Sequence, residues 1–283
     1  MTQINFSKPF ALSMGPQRAA TSWIDQYLRS RGDVCLPHQV KEIFFFDRHF
    51  DKGPDFYKSH FKPEPEHDLI MEVSATYFDC PEAPERIRET LVKDIHLICP
   101  LREPVARSYS LYKHYLRYGI VSGTLEEAIE QKPQIIESSR YAEHLARWFD
   151  VFGRENITIL FQEELDQDPE SFIRKLCVGL GIEEKEADLK PFERVNQTTQ
   201  HAHPKLAAMA QNGADWFRNK GVYWPVNLAK SIGLKRVVFG KDAGVNTDTE
   251  VPEEEIRVFH DALKKEKRKL EDLLEEKIKL WDS

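Results

Sequence analysis

Cysteine is scarce and scattered in this chain. Cys35, Cys80, Cys99 and Cys177 form no CxxC pair and have no Cys/His spacing of a metal site. Reduced thiols in a cytosolic protein are therefore the expected state. Long apolar runs are missing as well, and none approaches the roughly 18 residues a membrane span needs. The first fifteen residues hold a single Lys and no sustained apolar stretch, so a secretory signal is not expected. Positive charge is not in excess: 40 Lys+Arg against 47 Asp+Glu leave a formal net charge of -7. That balance argues against a generic nucleic-acid or anionic-membrane coat, while leaving room for a local anion site. No internal repeat or low-complexity tract occurs. What is present is ordinary for a globular protein: 283 residues, 41% hydrophobic and 31% charged, enough for one large α/β domain or two smaller ones.

Three segments read as strands joined to helices. Pro9 to Met14 is a short apolar run that stops at Gly15-Pro16, and beyond it Trp23, Ile24, Tyr27 and Leu28 gather on one helical face. Ile95 to Leu101 repeats the pattern, turns at Arg102-Glu103-Pro104 and continues helically through Tyr109, Tyr112 and Leu116. Pro104 suits the first helical turn, whereas Pro100 implies that the strand ends or bulges there. Ile157 to Phe161 is a third strand, between a helix over Tyr141 to Phe152 and one ending at Leu180. Such alternation predicts an α/β fold with a central parallel sheet flanked by helices and followed by a helical C-terminal extension. In that extension Lys205 to Lys241 carries seven Lys/Arg against one acid, Asp215, interleaved with Trp216, Phe217, Tyr223 and Trp224. Glu253 to Trp281 reads as one amphipathic helix with its apolar stripe packed back on the domain.

Two of these turns carry anion-binding chemistry. Gly15-Pro16-Gln17-Arg18-Ala19-Ala20-Thr21-Ser22 lies where a strand meets a helix N-terminus, with free N–H groups, the positive end of a dipole, a permanent cation and two hydroxyls. It is not a Walker A loop, because Ala19-Ala20 stand where Gly-Lys would be needed. Taken alone, the octapeptide reads equally well as a plain turn with a Thr/Ser cap. A second turn runs from Arg102 at a strand end to Ser110 inside the following helix. Two such sites at one sheet edge suit a nucleotide with phosphates at both ends.

The pair resembles the 5′-phosphosulfate loop and 3′-phosphate motif of sulfotransferases that use 3′-phosphoadenosine 5′-phosphosulfate (PAPS), in particular the heparan sulfate sulfotransferases and their bacterial relatives. Four blocks carry the resemblance in order: Gly15 to Trp23; Val40-Lys41-Glu42-Ile43-Phe44-Phe45-Phe46-Asp47; Met71 to Phe78 with Pro84 to Ile87; and Leu101-Arg102-Glu103-Pro104 through Tyr112. With Tyr141 to Leu180 it covers roughly residues 8–204. It implies the P-loop-kinase-like sulfotransferase fold, with residues 1–204 as a PAPS-binding core and 205–283 as a helical, acceptor-facing part of the same domain. It further implies PAPS as donor, its 3′,5′-bisphosphate (PAP) as product, no metal, and a carbohydrate or small-molecule acceptor of the sulfonate.

Roles for individual residues follow from the same resemblance. Arg18 takes the place of the family's loop Lys beside the bridging oxygen, as a planar fork in place of a point charge. Ala19 and Ala20 replace glycines, so backbone contacts through them require that neither position needs φ > 0. Thr21, Ser22 and Trp23 complete the loop, and Arg102 and Ser110 face the 3′-phosphate. Glu42 matches the catalytic base, with Lys41 stabilising the transferring group; read without the family, the two are a solvated pair ahead of a buried Phe44-Phe45-Phe46 strand. His114 matches an active-site histidine of some relatives and equally reads as a surface residue, while His38 is a weaker base. His201 stands in for an arginine near the 3′-phosphate, with His203 in the same loop. Val73 replaces a family Lys after Glu72. The family disulfide has no counterpart, which fits an intracellular, bacterial-type member. Acceptor contacts are expected from residues 53–65, 118–136 and 205–241. Two other classes stay open, a nucleotide-dependent kinase with a degenerate phosphate loop and a non-catalytic nucleotide- or glycan-binding module.

Overall fold

The computed structural model describes residues 3–91, 95–185 and 253–282. Along the chain run β1 (Phe10–Ser13), α1 (Thr21–Arg31), β2 (Val34–Cys35), α2 (Phe45–Arg48), α3 (Pro54–Lys58), β3 (Leu69–Val73), α4 (Ala83–Thr90), β4 (Ile95–Leu101) and α5 (Pro104–Arg117). There follow α6 (Leu125–Gln131), α7 (Gln134–Glu137), α8 (Tyr141–Phe152), β5 (Ile157–Phe161), α9 (Gln162–Gln167) and α10 (Pro169–Leu180). The final described segment holds α11 (Glu253–Leu263) and α12 (Glu266–Leu274).

The five strands among the described residues are all parallel, in the order β2-β3-β1-β4-β5. Parallel neighbours require crossovers, and helices supply them. The first strand in sequence thus lies in the middle, with Ser13 paired to Val73 on one side and to Ile98 on the other. Both faces are covered. On one, Trp23, Tyr27 and Leu28 of α1 meet Phe172 and Leu176 of α10; on the other, Phe45, Tyr57, Ile87 and Trp148 pack against Phe10, Leu12 and Leu97. A strand covered on both faces loses its polar alternation, which is why β3 reads Leu-Ile-Met-Glu-Val with every residue buried.

Helix starts follow local chemistry. The Glu103 carboxylate accepts from the N–H groups of Val105 (3.1 Å) and Ala106 (2.6 Å), with Pro104 at the first helical position. Asp168 and Pro169 open α10 in the same way, and Thr124 with Glu127 forms a capping box on α6.

Three expectations change. Pro100 neither ends nor bulges β4: it pairs with Leu160 inside the strand, and β1 has already stopped opposite Ile98, so the ladder on that side needs no N–H from it. Phe44 to Phe46 is not a strand. Phe44 takes a left-handed φ of 55°, and the chain turns into α2, which drops Phe45 and Phe46 into the core. The C-terminal stripe is broken after Leu263 into α11 and α12. The break lets Phe259 and Leu263 join Tyr112 beside α5 while Leu270 and Trp281 reach the cluster beside α8, two places that one straight helix cannot touch together. Polar contacts fasten the same segment: Glu266 accepts from the Ala142 N–H at 2.9 Å, and the Trp281 indole donates to Glu163 at 2.9 Å.

Phe259 is fully buried against the Tyr109 and Tyr112 rings, at centroid distances of 6.2 and 6.4 Å. Phe259→Ala is expected to cost about 3–5 kcal/mol. Urea unfolding followed by tryptophan fluorescence checks this, and a loss below about 1 kcal/mol would show that the α11 contact is dispensable.

Candidate active site

The loop after β1 is built around close backbone approach. Gly15 has φ 95°, and a Cβ there would lie 2.7 Å from the Ala75 carbonyl oxygen, so the turns after β1 and β3 can pass only if residue 15 is glycine. Arg18 (φ 69°) and Ala20 (φ 61°) both occupy the left-handed region, while Ala19 does not. The condition set on the two alanines therefore fails at Ala20, and the turn is kept at a cost of roughly 1 kcal/mol or more for each such non-glycine residue. Ala20 caps α1 through its backbone, its carbonyl accepting from Trp23 and Ile24 N–H at 3.0 Å each. Among the described residues the N–H groups of Arg18 through Ser22 find no acceptor, which leaves a row of donors at a helix start. Ala19 is buried beneath that row and Ser22 is exposed. Trp23 is buried, its ring stacked on Tyr27 at 5.6 Å and edge-on to Phe172, and so it anchors α1 in the core.

The second motif meets the first directly. Arg18 Nε donates to Ser110 Oγ at 3.0 Å, joining two turns whose residues are 92 positions apart. Burial first, and then the guanidinium groups of Arg102, Arg117 and Arg107, lower the Arg18 pKa from its ordinary value, yet an arginine so placed stays charged. Among the described residues no carboxylate pairs with Arg18 or Arg102. His114 sits one helical turn beyond Ser110, and burial together with Arg18 and Arg117 pushes its pKa down to about 4. Its imidazole is neutral at pH 7, so it accepts or donates a hydrogen bond there and supplies no positive charge. His201 and His203 lie outside the described residues, as does the stretch 205–241.

The Lys41–Glu42 pair is tied to the same loop. Lys41 Nζ donates to Glu42 Oε1 at 2.8 Å and to the buried Thr21 hydroxyl at 3.3 Å, with the two charged side chains about a quarter and a fifth exposed. The pair is thus held against the start of α1 and is not free in solvent. His38 Nδ1 lies 2.7 Å from the His60 carbonyl oxygen.

Sequence reasoning passed over the residue that positions this pair. Glu72, noted only for the Val73 that follows it, is fully buried at the end of β3. Its Oε1 accepts from Ile43 N–H (3.1 Å) and the Tyr77 hydroxyl (3.0 Å), and its Oε2 accepts from the Tyr57 hydroxyl (2.8 Å). Tyr77 in turn accepts from Phe45 N–H at 2.9 Å. One carboxylate therefore fixes the backbone on both sides of Phe44. The available signal was an acid inside an otherwise apolar strand, a position that demands partners. Burial outweighs those hydrogen bonds and raises the Glu72 pKa to about 7.

A parallel sheet whose carboxyl edge gathers arginines and free amides places the chain among the α/β proteins that hold anionic ligands at that edge. The particular family is the sulfotransferases: the model described as "Sulfotransferase domain" matches residues 9–218, and the chain belongs to that family. Over 195 residues it is 27% identical to the bifunctional heparan sulfate N-deacetylase/N-sulfotransferase 1 of Caenorhabditis elegans, covering 63% of this chain and 22% of that protein. Over 187 residues it is 29% identical to human heparan sulfate glucosamine 3-O-sulfotransferase 3B1, covering 62% and 46%. The chain thus spans less than half the length of these relatives. A sulfotransferase from Alicyclobacillus acidocaldarius shares the fold at TM-score 0.63 and 20% identity, over 98% of this chain and 100% of that one. The mouse sulfotransferase SULT7A1, solved in complex with PAP, does so at TM-score 0.50 and 16% identity, over 94% and 86%.

The raised pKa of Glu72 has a thermodynamic consequence. The folded carboxyl binds its proton more tightly than the unfolded one, so stability falls as pH rises from about 4.5 to about 7 and levels off above. His114, with its lowered value, acts in the opposite sense over much of that range. The difference between wild type and Glu72→Gln therefore isolates the carboxyl. Urea unfolding at pH 5 and pH 8 is expected to show wild type losing roughly 3 kcal/mol relative to the variant on going to the higher pH. Parallel pH profiles would show that Glu72 keeps an ordinary acidity.

Proposed function

We propose that the protein transfers a sulfonate group from PAPS to a hydroxyl, or an amine, of a carbohydrate or small-molecule acceptor. The observation that carries this reading is the Arg18–Ser110 hydrogen bond, which brings two strand-to-helix turns and their cations to one place in a chain of the sulfotransferase family. The residues suit a doubly anionic nucleotide: a row of free N–H groups, Arg18 and the hydroxyls of Thr21 and Ser22 at one turn, Arg102 and Ser110 at the other. The donor supplies an activated sulfonate and a stable bisphosphate leaving group. The chain's own residues do the rest. Arg18, permanently charged and partly shielded from water, balances charge that builds on the leaving oxygen. Glu42 takes the proton of the acceptor hydroxyl. Lys41 holds Glu42 against Thr21 and so keeps that base at the donor loop. His114 contributes an uncharged hydrogen-bonding group, which leaves the positive charge to Arg18, Arg102 and Lys41. In this reading no metal is required.

The kinase alternative needs an open carboxylate at the strand end beside the phosphate loop. Glu72 is the acid at the end of β3, and Ile43, Tyr57 and Tyr77 already occupy its oxygens.

Two measurements test the reading. PAP at a hundred times its Kd is expected to raise Tm by about 5 °C or more, with ATP–Mg²⁺ and AMP giving much less; no shift with PAP would remove the donor assignment. Glu42→Gln is expected to slow sulfonate transfer by about 10²–10⁴ while keeping the PAP shift. Near wild-type turnover would show that another group is the base.

A further inference from the structure

A cavity of about 540 Å³ opens beside the donor loop, a size within the ~300–1,000 Å³ that encloses a small ligand. Gln17, the residue before Arg18, lines one side, and Tyr115, the residue after His114, lines another. Two of its lining residues are thus immediate chain neighbours of residues of the site just described. Its charges balance among the described residues: Asp47 and Asp79 against Arg48 and Lys132. Asp47 is paired with Arg48 at 3.3 Å, and burial raises its pKa. Asp79 accepts a hydrogen bond from Ser138 and lies close enough to Tyr115 to raise that phenol's pKa, second only to burial. Gln17, Thr76, Gln134 and Ser138 bring amides and hydroxyls to the lining, so that with the four charged residues polar side chains outnumber the apolar ones.

We infer that this cavity receives the acceptor, and that the acceptor is an uncharged polyhydroxylated molecule such as the terminal sugar of a neutral glycan. The inference rests on the sulfotransferase reading and narrows it. A site for a polyanion needs a surplus of cations to offset desolvation and self-repulsion, whereas here two carboxylates cancel the two cations. A site for an apolar alcohol or phenol needs a greasy wall, whereas here hydroxyls, amides and charges dominate. Closely spaced donors and acceptors of both kinds match a sugar, whose every hydroxyl both donates and accepts. Asp79 is the specificity-determining residue in this arrangement. It accepts from an acceptor hydroxyl, and its charge repels a uronate or sulfate arriving at the same place.

Full-length protein with labelled PAPS decides the matter when three acceptors are compared at equal concentration. They are a neutral gluco-oligosaccharide, heparosan as an unsulfated uronate polyanion, and 4-nitrophenol. The neutral oligosaccharide is expected to lead by about tenfold or more in kcat/KM. Asp79→Asn is expected to lower that value by about tenfold while raising the use of heparosan, with the PAP-induced shift in Tm retained. Preference for heparosan or 4-nitrophenol overturns the inference and leaves the sulfotransferase reading standing. So does an Asp79→Asn variant with unchanged selectivity, or transfer to none of the three despite a PAP shift. Failure of PAP to shift Tm at all removes the donor reading itself, and the acceptor class with it.

Discussion

The fold can keep its candidate base in place only because a carboxylate is buried where no water reaches it. Glu72, next to last in β3, lies inside the core and must satisfy its oxygens from protein donors, since an unpaired buried carboxylate would cost several kcal/mol. It takes the Ile43 N–H and two tyrosine hydroxyls, one from α3 and one from the turn after β3. That demand forces the left-handed step at Phe44, sends Phe45 and Phe46 inward, and leaves Lys41 and Glu42 facing the start of α1. Strand, turn and helix are coordinated by this one acid.

The sheet, the strands of both anion-binding turns and the main helices were legible in the sequence because each rests on a local signal. Apolar runs bounded by Gly-Pro or Arg-Glu-Pro mark strand ends, and Trp23, Tyr27 and Leu28 mark a helical face. Other features depend on distant partners and left no such trace. β3 is masked by its own acid, and β2 has only two residues. The split of the C-terminal stripe into α11 and α12 is dictated by two separate docking places, which periodicity alone does not reveal. The left-handed Ala20 also escaped, because alanine gives no sign of a positive φ, and only the crowding of the turn imposes it.

At the site, residue types gave the chemistry but not its connectivity. Arg18 and Ser110 were assigned to opposite ends of a nucleotide, and in the structure they touch. His114 read equally as an active-site histidine and as a surface residue, and its burial beside Arg18 and Arg117 makes it a neutral group. Arg107 was unremarked inside the second motif. It is fully buried and donates to the carbonyls of Gln134 (3.4 Å) and Ile135 (2.6 Å) and to the hydroxyls of Ser108 and Ser139, clamping α5 to α7. The helix that carries Ser110 is therefore tied to the segment that lines the neighbouring cavity.

The position of β1 also bears on how the molecule comes into being. It is synthesised before either of its neighbours, and both strands that flank it lie some 60 to 90 residues downstream. Until those residues have emerged, β1 has no partner for its backbone and no cover for its apolar side chains. A nascent chain that stops short of β4 exposes the future centre of the sheet, a state that favours chaperone binding and makes closure of the sheet wait on its distant partners.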